Sequence, residues 1–423
     1  MNLGGLSTGM APPAQAPLLL FALMPVFLGL AGLAIVWQGN ELLISRWTPG
    51  ALGVTHFLVL GAIAPVMCGG LLQLAPVLLD APYPKALKLA LFTAATLGGG
   101  ALGIGGGLMF SFPWLLITGA VLTITGLGVF LAATFSVLRQ ATSRPGLLSA
   151  LRFSSIALSV TLGFGAILAM ARAGWIALPD HPNWVNTHLA WGLGGWAGMM
   201  IAGTGIQIIP LFHVCPSFPA WLTRTLPLAV ATMMGISTLI LLTPAFNAYN
   251  TWALVVLLAI HLVFHLVALY REHKRERPGR DAHLWLWQTS HLAMAGAMVS
   301  WLLGGTEVSI GILLISSLLT FLIGSLLKIL PFLTWLDLQQ ERIKGQYLQV
   351  RLPRLREILP NSLANLIALS LGGSLLALLG ATLLPQFTRP GGALLLTCAI
   401  LLGHAMIRAA RLHRLLSSQF QSA

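Results

Sequence analysis

The chain has 423 residues, of which 57% are hydrophobic and only 8% carry a charged side chain. Soluble domains carry roughly a quarter charged residues, so this composition excludes an ordinary water-soluble protein. The net charge of +13 comes from short basic clusters between apolar segments, a distribution typical of membrane topology signals rather than of a nucleic-acid-binding surface.

Twelve apolar segments follow one another along the chain, separated by Gly, Pro and charged residues. A membrane-spanning helix needs about 20 apolar residues, and these runs are too long for the strands of a closed barrel. The sequence therefore predicts an all-α polytopic membrane protein, with about twelve spans in a single transmembrane domain over residues 1–423. The predicted spans are 17–38, 52–79, 86–110, 113–138, 148–172, 186–212, 225–246, 251–271, 283–303, 307–333, 361–381 and 390–410.

Basic residues cluster after the even-numbered spans. Because cytoplasmic loops of membrane proteins carry an excess of Lys and Arg, this asymmetry predicts cytoplasmic even-numbered connections, two cytoplasmic termini and a location in the inner (plasma) membrane. The odd-numbered connections hold only Arg46, Arg172 and Arg389. The basic clusters are Lys85 with Lys88, Arg139 with Arg144, Arg224, the run Arg271 to Arg280, and the run Arg342 to Arg356.

A spaced pattern, Gly-x-x-x-Gln/Lys-x-x-Pro, occurs near the inner end of the second, sixth and tenth spans. Repetition at matching helix numbers predicts three parallel four-helix units, at about 17–138, 148–271 and 283–410, arranged with pseudo-threefold symmetry. The outer ends of the same spans also match, as Thr55-His56, Thr187-His188 and Thr306-Glu307. The three copies of the pattern are Gly69/Gln73/Pro76, Gly203/Gln207/Pro210 and Gly324/Lys328/Pro331.

In these features the chain resembles subunit I of the haem-copper oxidases, a twelve-helix fold of three four-helix arcs, and the related NnrS-type haem proteins. The resemblance runs the whole length, and two stretches carry it best. They are Thr55-His56-Phe-Leu-Val-Leu-Gly61 leading to Gln73-Leu-Ala-Pro76, and Thr187-His188-Leu-Ala-Trp191-Gly192 leading to Gln207-Ile-Ile-Pro210.

The resemblance implies a haem ligand but an incomplete oxygen-reducing centre. His56 stands where such oxidases carry a low-spin haem ligand. At His188 the family has a copper-binding histidine followed by proline, glutamate and tyrosine, whereas Leu189 to Gly192 follow here, and the seventh span has no histidine pair. We therefore expect haem held by His56 alone or with His188, and copper only where part of the centre survives.

Other polar residues are further candidates. His261 and His265 share one helix face, a spacing that suits metal ligands, and His291 and His404 also lie nearer the inner side, but the interpretation favoured for these four histidines is ordinary packing or polar bridging between helices. Glu307 lies at the depth of His56, either as a functional carboxylate or as a solvated residue at a helix start. Three further residues occupy the repeat positions: Lys328 as a proton-path or anion-path candidate, and Gln73 and Gln207 as interhelical hydrogen-bonding partners.

The function expected from the resemblance is haem-based binding or sensing of nitric oxide or oxygen, or electron transfer with a redox partner. Two other classes stay open: a secondary transporter, and a cofactor-free scaffold or assembly factor. Transporters usually show inverted or twofold repeats, whereas this repeat is parallel and threefold. The Gly-rich stretch Gly98 to Gly107 has no strand–helix setting, so it predicts no nucleotide site.

Overall fold

A computed structural model describes residues 10–141, 144–276, 279, 281–347 and 349–422, so that Arg277 and Arg280 of the predicted basic run lie outside it. Within these residues the structure is helical and contains no strand. In this described part of the chain, eleven helices are long and apolar enough to cross a membrane, which makes the chain a polytopic membrane protein. With one further helix, Ala282–Leu302, we number them α1 Gln15–Leu43, α2 Pro49–Leu79, α3 Ala86–Met109, α4 Pro113–Gln140, α5 Pro145–Arg172, α6 His181–His213, α7 Ala220–Leu242, α8 Asn250–His273, α9 Ala282–Leu302, α10 Glu307–Lys344, α11 Asn361–Ala381 and α12 Pro385–Phe420.

Helix α9 coincides with the predicted ninth span but is not among the eleven. It has 21 residues, and His283, Gln288 and His291 lower its hydropathy. It nevertheless packs against α8, α10 and α11, and Trp287 in its second turn is fully buried. Helix α9 is therefore polar because it faces other helices, where side chains such as its histidines find partners.

Helices α10 and α12 are longer than the spans predicted at 307–333 and 390–410. With 38 and 36 residues they measure about 57 and 54 Å, against a hydrocarbon core about 30 Å thick. The last turns of the two helices contact each other, and the rings of Tyr347 and Phe420 stack with centroids 5.5 Å apart. The predicted spans stopped at charged residues, whereas the helices continue through Leu, Gln, Glu and Arg residues, which favour helix.

The helices pack in chain order into a closed bundle. Each helix contacts the next one in the chain, and α1 packs against α12. Helix α10 additionally contacts α2 and α6. Helix α10 thus touches both other repeat-bearing helices as well as its chain neighbours. We call the two ends of the bundle the Arg46 end, where α2, α6 and α10 begin, and the Lys328 end, towards which they run.

The three repeat glycines lie at close contacts between helices. Each packs against the preceding odd-numbered helix, so tightly that an added Cβ would lie under 3.0 Å from a neighbouring atom. Such separations are far below the usual 3.5–4.0 Å between carbon atoms. An added Cβ would lie 2.7 Å from Phe21 Cε1 at Gly69, 2.7 Å from Ala150 Cβ at Gly203, and 2.8 Å from Trp287 Cδ1 at Gly324.

Candidate functional site

His56 and His188 occupy matching places in α2 and α6. His56 is the last residue of the α-helical turns Pro49–His56, after which a π-helical segment runs over Phe57–Ile63. His188 is the penultimate residue of His181–Leu189, and a second π-helical segment follows over Ala190–Gly198. Wide helical turns of this kind are rare and occur frequently at functional sites.

The hydrogen bonds of both imidazoles fix the same tautomer. His56 Nδ1 lies 2.8 Å from the carbonyl oxygen of Leu52, and His188 Nδ1 lies 3.1 Å from that of Thr161. Because a carbonyl oxygen only accepts, each Nδ1 must carry the hydrogen and donate it, which leaves the lone pair on Nε2. A histidine held by a carbonyl in this way is oriented as metal-binding histidines usually are.

The two imidazoles also lie near each other. They are close enough to interact electrostatically, and both are part-buried. A Cβ at Gly165 of α5 would lie 3.2 Å from His188 Cε1, so the ring fits beside a glycine. Packing is looser here than deeper in the bundle, since residues 310–315 of α10 are part-buried whereas residues 316–327 are buried.

Glu307 lies in a surface ion pair. Its carboxylate contacts Arg46 Nε at 2.9 Å, and its side chain is 64% exposed. Arg46 also donates to Asn186 Oδ1 at 2.8 Å and lies over the Trp47 ring, so it connects the starts of α2, α6 and α10. Burial lowers the pKa of Arg46 from its ordinary value, and Glu307 acts in the opposite direction. Glu307 therefore joins helix ends, and an exposed pair of this kind contributes about 1 kcal/mol or less.

Near the Lys328 end, two of the three polar repeat residues bond to the residue that precedes an odd-numbered helix. Gln207 Oε1 accepts from Arg144 Nη1 at 2.8 Å, directly before α5. Lys328 Nζ contacts Asp281 Oδ2 at 2.5 Å, directly before α9. Burial by itself would raise the pKa of Asp281, but the hydrogen bond and charge of Lys328 lower it to about 2. The third residue, Gln73, is buried, and its Oε1 accepts no hydrogen bond within the described part of the chain.

The metal-ligand candidates of α8 enter a buried cluster that the sequence did not predict in full. His265 Nδ1 lies 2.9 Å from His291 Nδ1 of α9, and His291 Nε2 lies 3.4 Å from Glu272 Oε1. His261 is one turn away on α8, and neither of its ring nitrogens makes a hydrogen bond within the described residues. Glu272 was missed because it sits in a basic run, although its spacing of seven residues from His265 places both on one helix face.

Two more groups were not predicted. The rings of His213 and His283 stack with centroids 4.8 Å apart at the Lys328 end. In the long extensions of α10 and α12, ligand atoms of Asp337, Glu341 and His413 lie within 4.8 Å of one another. His413 Nε2 is 2.9 Å from Asp337 Oδ2, so these part-buried groups already satisfy each other as an ion pair.

No protein-family model matches the chain, and no curated protein matches it in sequence.

Proposed function

We propose that this chain is an integral membrane haem-binding protein, similar to haem-copper oxidase subunit I but without a complete haem-copper centre. The observation that carries the proposal is the pair of imidazoles on α2 and α6. Each donates Nδ1–H to a backbone carbonyl, each keeps the lone pair on Nε2, and each adjoins a π-helical segment.

The arrangement of the helices supports the threefold part of the proposal. The first and last helices, α1 and α12, pack against each other, and α10 contacts both α2 and α6. Three arcs of helices around a common axis require both kinds of contact. Gly69, Gly203 and Gly324 each pack against the helix that precedes their own. The bonds of Gln207 with Arg144 and of Lys328 with Asp281 occupy corresponding places in two units.

The side chains at the Arg46 end suit a haem in their donor chemistry. His56 is the first ligand that we propose, and His188 the second. Imidazole is a common axial ligand of haem iron, and a bound haem would supply reversible gas binding or one-electron transfer. The protein's own contribution is to hold the two rings through the carbonyl oxygens of Leu52 and Thr161.

We further propose that the Lys328 end faces the cytoplasm of a cell with this protein in its inner membrane. The clusters at Lys85, Arg139 and Arg224 follow even-numbered helices and therefore lie at that end, together with the long ends of α10 and α12. Basic loops of membrane proteins stay preferentially in the cytoplasm. A small gas ligand or a redox partner would then approach His56 and His188 from the opposite side.

The test is haem content measured by absorbance on protein purified from haem-replete cells. We expect a Soret band from wild-type protein, loss of most of it in His56→Ala, and a shifted spectrum in His188→Ala. His404→Ala is the matched control, because His404 is an exposed histidine of α12, and it should keep the wild-type spectrum.

Folded wild-type protein without a Soret band would remove the proposed function and leave the transporter and scaffold classes. Substrate uptake by proteoliposomes separates these two. A Soret band that neither histidine substitution changes would refute the ligand assignment alone.

A further inference from the structure

A second polar centre lies towards the Lys328 end, where α8 packs against α9. Its four members are almost completely buried: His261 is 4%, His265 is 3%, His291 is 1% and Glu272 is 0% exposed. Ionisable side chains are expensive inside a membrane protein and, when they face its interior, usually mark a functional site. This centre is independent of the proposed haem site and shares no residue with it.

The geometry directs two ring nitrogens at one point. His265 Nδ1 and His291 Nδ1 face each other at 2.9 Å. The other nitrogen of His291 points to Glu272, with Nε2 3.4 Å from Oε1. A carboxylate at that side favours the Nε2–H tautomer of His291, which leaves the Nδ1 lone pair directed at His265. Carboxylates behind metal-binding histidines act in this manner.

Within the described residues, the centre also lacks a positive charge beside its carboxylate and lacks hydrogen bonds to several of its polar atoms. Neither carboxylate oxygen of Glu272 makes a hydrogen bond, and no Lys or Arg of the described residues lies within 4 Å of them. Neither ring nitrogen of His261 makes a hydrogen bond of good geometry within the described residues, although the Gly194 backbone of α6 interacts with the ring. A buried carboxylate left without a cation is costly, so a bound cation would offset that cost.

We propose that His265 and His291 bind one monovalent copper ion through their Nδ1 atoms. Glu272 is a positioning residue that holds His291 and balances the charge, and His261 lies one turn from His265 on α8. Imidazole nitrogens suit zinc, copper, iron and nickel. Copper is the member of this group with a stable singly charged state, and one positive charge against one carboxylate leaves the buried centre neutral, whereas a divalent ion would not.

Binding of the copper ion requires one proton to move within the site and no oxidation or reduction. The proton on Nδ1 of His265 moves to Nε2 of the same ring, so both Nδ1 lone pairs reach the metal, and no electron is transferred. With metal–nitrogen distances of about 2 Å, as found for zinc and imidazole, the two nitrogens would separate from 2.9 Å to about 4 Å around a linear two-coordinate ion. Rotation of the two side chains supplies that change.

The experiment is an anaerobic titration of purified protein with copper(I), in competition with bicinchoninate, followed by X-ray absorption of the loaded protein. We expect one strongly bound ion in wild-type protein and at least tenfold weaker binding in His265→Gln and in His291→Gln. Glu272→Gln should also weaken binding. His404→Gln, with its exposed histidine on α12, is the control and should bind as wild-type does. The absorption spectrum should contain nitrogen scattering without sulfur.

Equal affinity in wild-type, His265→Gln and His291→Gln would overturn the proposal, as would the absence of tight binding to wild-type. Cys215, between α6 and α7, is close enough to Glu272 to interact with it electrostatically. Sulfur scattering that disappears in Cys215→Ser would overturn the proposal too, because the ion would then belong to that thiol. Only variants that elute and melt as folded protein are compared with wild-type. If no variant folds, the X-ray absorption spectrum of the loaded wild-type protein tests the proposal. Haem content is measured on the same samples and should not change, so failure here is distinct from failure of the haem proposal.

Discussion

Substitution of Gly69 by alanine should destabilise the bundle, whereas substitution of its neighbour Gly70 should not. A Cβ at Gly69 would lie 2.7 Å from Phe21 Cε1, 3.0 Å from Phe21 Cδ1 and 3.1 Å from the carbonyl oxygen of Pro17. Phe21 is 1% exposed and cannot turn away without displacing α1. At Gly70 the same atom meets nothing within 4 Å.

The adjacent control isolates the contact between helices. Replacing glycine by alanine within a helix gains about 1 kcal/mol from helix propensity, and this gain is similar at both positions. Overpacking a tight contact costs about 1–3 kcal/mol. Gly69→Ala should therefore be about 1–3 kcal/mol less stable than Gly70→Ala, which should itself equal or exceed wild-type.

The assay is thermal or denaturant unfolding of the purified protein in one detergent, with the two variants measured side by side. Each variant is compared with wild-type at the same protein concentration and in the same buffer. Identical stabilities for Gly69→Ala and Gly70→Ala would refute the close approach of α1 and α2, and with it the packing reason for the repeated glycine.

Three further substitutions test other contacts. The depressed pKa of Asp281, about 2 against an ordinary 3.8, means that its pair with Lys328 stabilises the fold above about pH 4 and loses this effect as the pH falls towards 2. Asp281→Asn should thus lower stability near neutral pH by at most about 1 kcal/mol, because the carboxylate is half-exposed, and should flatten the loss measured between pH 4 and 2. Trp287→Phe should cost about 2 kcal/mol in an unfolding assay, since the buried indole donates to the Phe321 carbonyl oxygen at 3.0 Å; a cost near zero would contradict that bond. Glu307→Gln should change stability by about 1 kcal/mol or less and leave any haem spectrum unaltered, whereas loss of the spectrum would give this carboxylate the functional role that its exposure argues against.

The sequence predicts the helices well because apolar length decides whether a segment can span a bilayer. The predicted helix ends were wrong where a helix continues into residues of low hydropathy. Helix α10 continues to Lys344 through charged residues, and α9 is polar because Trp287, His283 and His291 face neighbouring helices. The glycine pattern was identified from its spacing alone. The structure shows what the three glycines have in common: each one packs against the preceding helix.

The candidate sites were predictable to different degrees. The positions of His56 and His188 follow from the repeat, but the carbonyls of Leu52 and Thr161 that orient them do not, because one of these belongs to another helix. The pairing of His265 with His291 depends on how α8 and α9 pack, which a single sequence does not encode in any local pattern.

Haem ligation by His56 and His188 is tested most directly by the EPR spectrum of the ferric wild-type protein, recorded on a sample whose haem content is known from absorbance. With His56 and His188 both bound through Nε2, we expect one haem per chain and a low-spin signal of the type given by two imidazoles, which His188→Ala converts to high spin. A folded, haem-free protein, or a low-spin signal that survives in both His56→Ala and His188→Ala, would contradict it.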